Sequence, residues 1–360
     1  MKNIKLAKAK AVKNDEFYTQ YHDIEKEIQA YLDFNENTFK DKTILLPCDD
    51  PEWSNFTKYF AQNFSRLGLK KLISTSYAHQ SKKIEEIYQP TLFEIDSPDF
   101  NQQKSLSNGK IFTLTRDKNN DGVINLDDLE WKYLSGDGDF RSEEIKSLRD
   151  EADIIITNPP FSLFREFLAW IVEANKEFII VANKNCITYK EVFPLIKDNK
   201  LWSGRTEWSG GMWFKTMDEN DVDKVIDGIN MKNVSSIWVT NLDHGRRHEP
   251  LQLMTMADNL KFNKKLDGKN AYVEYDNYQA IEVPFTNAIP SDYKGVMGVP
   301  ISFLDKYNPE QFEIVGATES EGRGFSNGLW DPLSKISQPL INGIKIYKRI
   351  FIKHIFKEVL

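Results

Sequence analysis

The sequence predicts an α/β fold, a mostly parallel sheet covered on both faces by helices, with a smaller loop-rich region after it. Three observations carry this. Between Asp41 and about Leu242, short apolar runs alternate with stretches of helical periodicity. The runs are apolar throughout, as strands buried on both faces must be. Beyond about residue 245, turn-rich stretches such as "NLDHGRRHEP", "NAIPSDYKGVMGVP" and "EGRGFSNGLWDP" replace that alternation. The division expected is residues 1–245 and residues 246–360.

Each element follows from local chemistry. "KTILLP" (42–47) reads as a strand closed by a proline, which cannot donate to a sheet. "WSNFTKYFAQNFSRLG" (53–68) reads as a helix, with Phe56, Tyr59, Phe60 and Phe64 on one face and Gly68 as its stop. "KKLISTSY" (70–77) and "DIIIT" (153–157) are the second and third strands. "SLFREFLAWIVEANK" (162–176) repeats apolar pairs at 163/164, 167/168 and 171/172, a helical period. "EFIIVAN" (177–183) and "SSIWVTNL" (235–242) complete the strands. Ligands of such sheets sit beyond the carboxyl ends of the strands. Residues 47–51 and 158–161 lie at two of these ends.

With 360 residues, 40% of them hydrophobic, the chain can bury a sizeable core, which excludes a disordered protein. The basic N-terminus lacks the apolar stretch of a signal peptide, and no apolar run approaches a membrane span. The expectation is a cytoplasmic protein without membrane contact. Cys48 and Cys186 suit a reducing compartment and make no metal site by themselves. The net charge is −7, but basic residues gather at the ends: Lys2, Lys5, Lys8, Lys10 and Lys13, then Lys345, Lys348, Arg349, Lys353 and Lys357. Each cluster reads equally as solvated charge or as a binding surface.

"DIIITNPPFSLFREFL" (153–168) holds the chemistry. A strand ends in Asn-Pro-Pro-Phe and turns at once into a helix. Two prolines fix φ and remove donors, leaving a stiff corner with free carbonyls. Such a corner suits an exocyclic aromatic amine as nucleophile, whose lone pair is delocalised into its ring. The Asn158 side-chain oxygen and the Pro159 carbonyl can hold its two hydrogens and favour a pyramidal, reactive nitrogen. Pro160 stiffens the loop, so the acceptors need little reorganisation. Phe161 offers a ring for stacking the base. A base inside a duplex reaches such a corner only when flipped out.

"TNPPF" resembles the catalytic motif of amino-methyltransferases that use S-adenosylmethionine. "NDEFYTQYHDIEKEI" (14–28), "LLPCDDPEWSNFTKYF" (45–60), "GDFRSEE" (138–144), "ADIIITNPPFSLFREF" (152–167), "FIIVANKN" (178–185), "WVTNLDHGRRHEPL" (238–251) and "YKGVMGVPISFLDKYNPEQFEIVG" (293–316) resemble, in order, the EcoRI-type adenine-specific DNA modification methyltransferases. The resemblance implies a Rossmann-like methyltransferase fold with a C-terminal target-recognition region. It also implies methyl transfer to a flipped adenine in double-stranded DNA, as a restriction-modification or orphan enzyme. A cognate restriction endonuclease at the same site is the further partner implied.

The resemblance also implies roles. "PCDDP", with Pro47, Cys48, Asp49 and Asp50, would bind the cofactor, with Asp49 or Asp50 at its methionine end. Asn158 would border the same site. Asp139 and Phe140 would contact the cofactor's adenine, by hydrogen bond and by stacking. Phe17, Tyr18 and Thr19 would close over the methionine. "PCDDP" lacks the glycine-rich pattern common in methyltransferases, and "ISTSYAHQ" offers no acid for the ribose. His244, Arg246, Arg247, His248, Lys294 and Arg323 would contact phosphate, which positions a duplex without reading it. Transfer to a guanine amine of ribosomal RNA, transfer to a protein glutamine amide, and a catalytically silent DNA-binding protein are the alternatives.

"DKNNDGVINLDD" (117–128) fits a calcium loop in register, with Asp117, Asn119 and Asp121 at the first, third and fifth places and Asp128 at the twelfth. The twelfth place lacks the usual glutamate, and "GKIFTLT" before the loop reads as a strand. A hairpin turn through "NNDG" is the favoured reading, and no metal is expected for the reaction.

Overall fold

The computed structural model describes residues 18–47, 49, 54–78, 100–206, 208, 210–216, 221–319 and 324–355. Two compact units emerge: residues up to Lys184 with Gly204–Leu242, and Asn185–Ser203 with the chain from Asp243 onward. Asn185–Ser203 crosses into the second unit, which reading the chain in order did not anticipate.

The first unit is built on strands β1 (Thr43–Leu46), β2 (Lys71–Ser76), β3 (Lys110–Leu114), β4 (Glu130–Tyr133), β5 (Ile154–Thr157), β6 (Glu177–Asn183) and β7 (Ser236–Thr240). They lie in the order β4-β3-β2-β1-β5-β6-β7. The four central strands run parallel, with Ile44 opposite Ile154 and Ile156 opposite Ile179. The flanking strands β3, β4 and β7 run antiparallel, a feature the apolar runs alone did not reveal. Ile154, Ile155 and Ile156 are fully buried. Each contributes about 1.5–3 kcal/mol of transfer free energy, and this holds β5 at the centre.

Helices cover the sheet. Helix α1 (Tyr21–Phe34) buries Ile24, Ile28 and Tyr31. Helix α2 (Asn55–Gln62) starts at Ser54, whose hydroxyl accepts the Phe56 N–H, and buries Phe56, Tyr59 and Phe60. A short turn of helix, Phe64–Leu67, continues it, and Gly68 stops the run at φ 64°. Helix α3 (Glu143–Glu151) is capped by Ser142 and has Glu143 and Glu144 in its first turn. Helix α4 (Phe164–Glu173) follows a 3-10 turn at Phe161–Leu163, so the Asn-Pro-Pro-Phe corner needs one tight turn before the α-helix begins. A second sheet pairs Tyr18–Thr19 with Met212–Lys215, which in turn pairs with Ile229–Val234.

The second unit holds a four-stranded sheet in the order Ile281–Glu282, Met297–Pro300, Arg349–His354, Phe312–Ala317. The tail is therefore an inner strand, with Ile350, Phe351 and Ile352 buried. Arg349 bonds Glu282 at 2.6 Å, with side-chain exposures of 11% and 4%, so of the two readings left open for the basic tail neither solvated charge nor a free binding group describes this residue. Among the described residues no helix is long and apolar enough to cross a membrane.

Candidate active site

The chain runs from β1 outward to β2 on one side and returns to β5 on the other, so the strand order reverses between β1 and β5. A crevice opens beyond the carboxyl ends at such a reversal. Pro47 and Asp49 stand at one lip and Thr157 and Asn158 at the other. The lips are joined directly. The Thr157 hydroxyl lies 2.9 Å from the Pro47 carbonyl oxygen and 2.6 Å from Asp49 Oδ2. Asp49 is 8% exposed. Its Oδ1 accepts the Ser54 hydroxyl at 2.8 Å, which ties the crevice to the cap of α2. Its carbonyl accepts from the hydroxyls of Thr57 and Ser74, and these two touch each other at 2.9 Å. This cluster escaped the sequence reading. The signal available was Ser54 immediately before a helical apolar period, an N-cap signature.

Asn158 is half-buried, and its Nδ2 lies 3.3 Å from Thr19 Oγ1. The Thr19 carbonyl accepts Asn55 Nδ2 at 2.8 Å, so the first residue of α2 holds the strand that holds Asn158. Pro159 is buried, while Pro160 and Phe161 are half-buried. The Leu163 N–H donates to the Pro160 carbonyl at 2.9 Å, closing the turn. Of the segment expected to close over the cofactor, Thr19 is thus brought to Asn158 and Tyr18 lies in the strand beside it. The expectations at Phe17, Cys48 and Asp50 fall outside the described residues.

Residues 136–140 lie at the carboxyl end of β2. The Asp137 carbonyl accepts the Ala78 N–H at 2.8 Å. Gly138 has φ +88°, and a Cβ there would fall 2.3 Å from the Ser76 carbonyl oxygen, so only glycine permits this approach. Glu144 of α3 accepts the Ser135 N–H at 2.9 Å and fixes the loop from behind. Asp139 is bound through both carboxylate oxygens by Arg141, at 2.9 and 2.5 Å. The Phe140 ring is 1% exposed and packs edge-on to Phe167 and Trp170 of α4. The structure gives this ring a core position, with no face open for stacking.

In the second unit, the cluster 244–248 turns inward. His244 is 2% exposed, and its Nε2 meets the Ser203 carbonyl at 3.0 Å. Arg247 is 7% exposed, stacks 3.6 Å above the Trp202 ring and bonds Asn199. Arg246 pairs with Asp305 at 3.0 Å. These side chains hold a 3-10 turn, Gly245–His248, in place, so phosphate contact is not the role their burial gives them. Lys294 is exposed, and Arg323 falls outside the described residues.

His248 sits between Asp243 and Glu310, at 2.9 Å from each. Partial burial works against its charged form, but the bonds to Glu310 and Asp243 outweigh burial, and its pKa is raised above the ordinary 6.5. A raised folded pKa means stabilisation that is fully present below about pH 6.5 and lost as pH rises through the folded value. His248→Gln is expected to lower Tm at about pH 6 and to approach wild type at about pH 8.5. The size is a fraction of about 1 kcal/mol, because both carboxylates are solvent-screened. His244 titrates with the opposite sign, since burial lowers its pKa, and the comparison between the two proteins cancels it. A Tm difference that stays flat from pH 6 to 8.5 in thermal melts would refute the assignment.

The 117–128 loop connects β3 to β4 as a long hairpin connection, not a tight turn at "NNDG". Its carboxylates are used locally. Asp117 accepts the Asn120 and Gly122 N–H groups, at 2.6 and 2.8 Å. Asn119 Nδ2 donates to Asp121 Oδ2 at 3.1 Å. Asp128 accepts the Lys118 and Asn125 N–H groups, at 2.8 and 3.0 Å. Among the described residues no group of three potential ligands is placed to hold a metal ion.

Comparison with known proteins adds a further finding. Residues 5–355 match the family described as "Adenine-specific methyltransferase EcoRI". The chain is 43% identical over 316 residues to the type II methyltransferase M.EcoRI of Escherichia coli, covering 86% of this chain and 88% of the relative. It is 32% identical over 317 residues to the type II methyltransferase M.MpnI of Mycoplasma pneumoniae, covering 86% and 84%. It is 32% identical over 356 residues to the type II methyltransferase M.MgeORF184P of Mycoplasma genitalium, covering 96% and 97%. No solved structure matches the chain.

Proposed function

Because the chain belongs to the EcoRI family of adenine-specific methyltransferases, it is a DNA adenine methyltransferase, and we propose that Asn158 and Pro159 grip the amine of an adenine flipped from the duplex. The observation that carries this reading is the corner itself. A strand fully buried at Ile154–Ile156 ends in Asn-Pro-Pro-Phe at the crevice where the strand order reverses.

The donor set fits S-adenosylmethionine. Asp49 and Asp139 stand at the carboxyl ends of β1 and β2, and carboxylates suit a ligand carrying a sulfonium and an ammonium. Asp49 would hold the methionine end and Asp139 the adenosine end, with Thr19 closing from the N-terminal side. Bound there, the cofactor supplies an activated methyl group. Asn158 Oδ1 and the Pro159 carbonyl accept the two N–H bonds of the adenine amine, which localises its lone pair for in-line attack. Phe161 stacks the base. The amine proton departs to solvent after transfer, and no general base is invoked. Duplex DNA is the substrate, flipping makes the base reachable, and a nuclease of the same specificity is the partner a type II system implies.

The test is direct. Genomic DNA from cells expressing the protein is expected to carry methylated adenine at one recurrent site, as read by sequencing of modified bases. Methylation confined to guanine amines of RNA or to glutamine amides would overturn the reading.

A further inference from the structure

A hairpin in the second unit presents side chains that the fold does not need. Leu340–Ile341 pairs with Ile344–Lys345 across a two-residue turn, Asn342 at φ 51° and Gly343 at φ 75°. Both turn residues in the left-handed region make this the tight hairpin turn that matches strand twist. Asp276 clamps it, accepting the Asn342 and Gly343 N–H groups at 3.2 and 2.8 Å. Asn277 Nδ2 donates to the carbonyls of Ile336 and Gln338 at 2.8 and 2.9 Å, and its oxygen accepts the Leu340 N–H at 2.9 Å. The Tyr278 hydroxyl holds the Ser337 carbonyl at 2.6 Å. Ile341 is fully buried against Tyr275, Tyr278 and Phe351. The backbone from 336 to 346 is therefore rigid.

On this pinned frame, large apolar side chains stand in solvent. Leu333 is 86% exposed, Ile344 65% and Tyr347 87%. Lysines are interleaved with them. Lys335 and Lys345 are exposed and Lys348 is half-buried. Among the described residues none of these three lysines has a side-chain hydrogen bond or an ion pair. From Leu333 to Lys348 there is no acidic residue, in a chain whose net charge is −7. The nearby carboxylates are turned to the backbone, Asp276 as above and Asp331 onto the Leu333 N–H at 2.9 Å. Leu333, Ile344 and Tyr347 fall within one short stretch of the chain, and clustered exposed apolar groups mark interaction sites. Unneutralised lysines among the apolar groups specify a polyanion with apolar faces. A two-stranded β-ribbon fits a DNA major groove.

We propose that the hairpin Leu340–Lys345, with Leu333, Lys335, Tyr347 and Lys348, is a DNA-docking element, its lysines on phosphates and Ile344 and Tyr347 against bases in the groove. This rests on the reading of the protein as a DNA methyltransferase. It shifts duplex recognition in this unit away from the buried 244–248 turn.

The full-length protein is titrated onto a mixed-sequence duplex at several salt concentrations. The triple variant Lys335→Gln, Lys345→Gln, Lys348→Gln is expected to reduce the slope of log affinity against log salt by about 2.7, three phosphates at about 0.9 each, and to weaken binding about a hundredfold at physiological salt. The corresponding triple arginine variant should keep the slope. Ile344→Ser with Tyr347→Ser should leave the slope unchanged and shrink the preference for the methylated site over mixed sequence about tenfold or more. All the changes lie on exposed or half-buried side chains, and unchanged thermal melts identify folded variants. A wild type that methylates DNA beside a folded glutamine triple with unaltered slope and affinity overturns the docking element and leaves the function standing. A variant that loses self-association instead of DNA affinity overturns it likewise. Failure of the wild type to bind or methylate any DNA removes the function reading and the docking element together.

Discussion

Asn158→Ala is expected to abolish methyl transfer while leaving cofactor binding near wild type. The side chain stands at the end of β5, with Nδ2 on Thr19 Oγ1. Alanine removes an acceptor used only once the adenine amine has entered, so the loss falls on kcat. A preorganised polar partner of this kind contributes about 10²–10³ in rate. Loss of the Thr19 contact adds to that by loosening the corner. The fold should tolerate the change, because Asn158 is half-buried while Ile154–Ile156 below it supply the packing. Asn158→Asp separates the two roles: it keeps an oxygen at the acceptor position and loses the donor to Thr19. Residual activity above that of alanine is the expected result. Single-turnover transfer of labelled methyl to DNA, with calorimetry for the cofactor, reads both quantities. A folded alanine variant with wild-type turnover would show that the amine is held elsewhere.

Much of this site was legible because its signals are local. Continuous apolar runs marked β1, β2, β5 and β6 as doubly buried, and Asn-Pro-Pro-Phe marked the corner. What was missed depends on which way a side chain points. Arg247 and His244 have the composition of a phosphate-binding turn, yet Trp202 and the Ser203 carbonyl draw them inward. Those partners come from 185–203, a segment whose place in the second unit no local pattern records. Phe140 follows a glycine-rich turn, as a stacking residue would, but Phe167 and Trp170 lie above it, and their contact is set by the packing of α4. The inner strand of the tail went unread for another reason. Its charges were weighed, while the run Ile350-Phe351-Ile352 between Arg349 and Lys353 already has the form of a short buried strand.

Asp49 offers the sharper experiment, because two roles predict different outcomes. As a contact to the cofactor's methionine end, it would act through its charge. As a brace, it acts by accepting the Ser54 and Thr157 hydroxyls, at 2.8 and 2.6 Å, across the strand reversal. Asp49→Ala strips both acceptors from a site where the residue is 8% exposed. The Ser54 hydroxyl loses its acceptor, at a cost of about 1–3 kcal/mol, while the Thr157 hydroxyl keeps the Pro47 carbonyl at 2.9 Å, so a loss of about 1–3 kcal/mol in stability is expected, together with loss of transfer as Thr157 and the neighbouring Asn158 lose register. Ser54 and Thr157 are neutral donors, so an amide oxygen can replace one carboxylate oxygen but not both. Asp49→Asn should therefore recover at least half of the lost stability. Its effect on the cofactor then decides between the roles. A dissociation constant raised tenfold or more, with Tm largely restored, assigns the charge to the ligand. A restored Tm with an unchanged dissociation constant makes Asp49 a brace alone. If Asp49→Ala instead melts with the wild type in denaturant titrations, the hydroxyl cluster holds nothing together, and the alignment of the two lips of the crevice must come from the β1–β5 pairing itself.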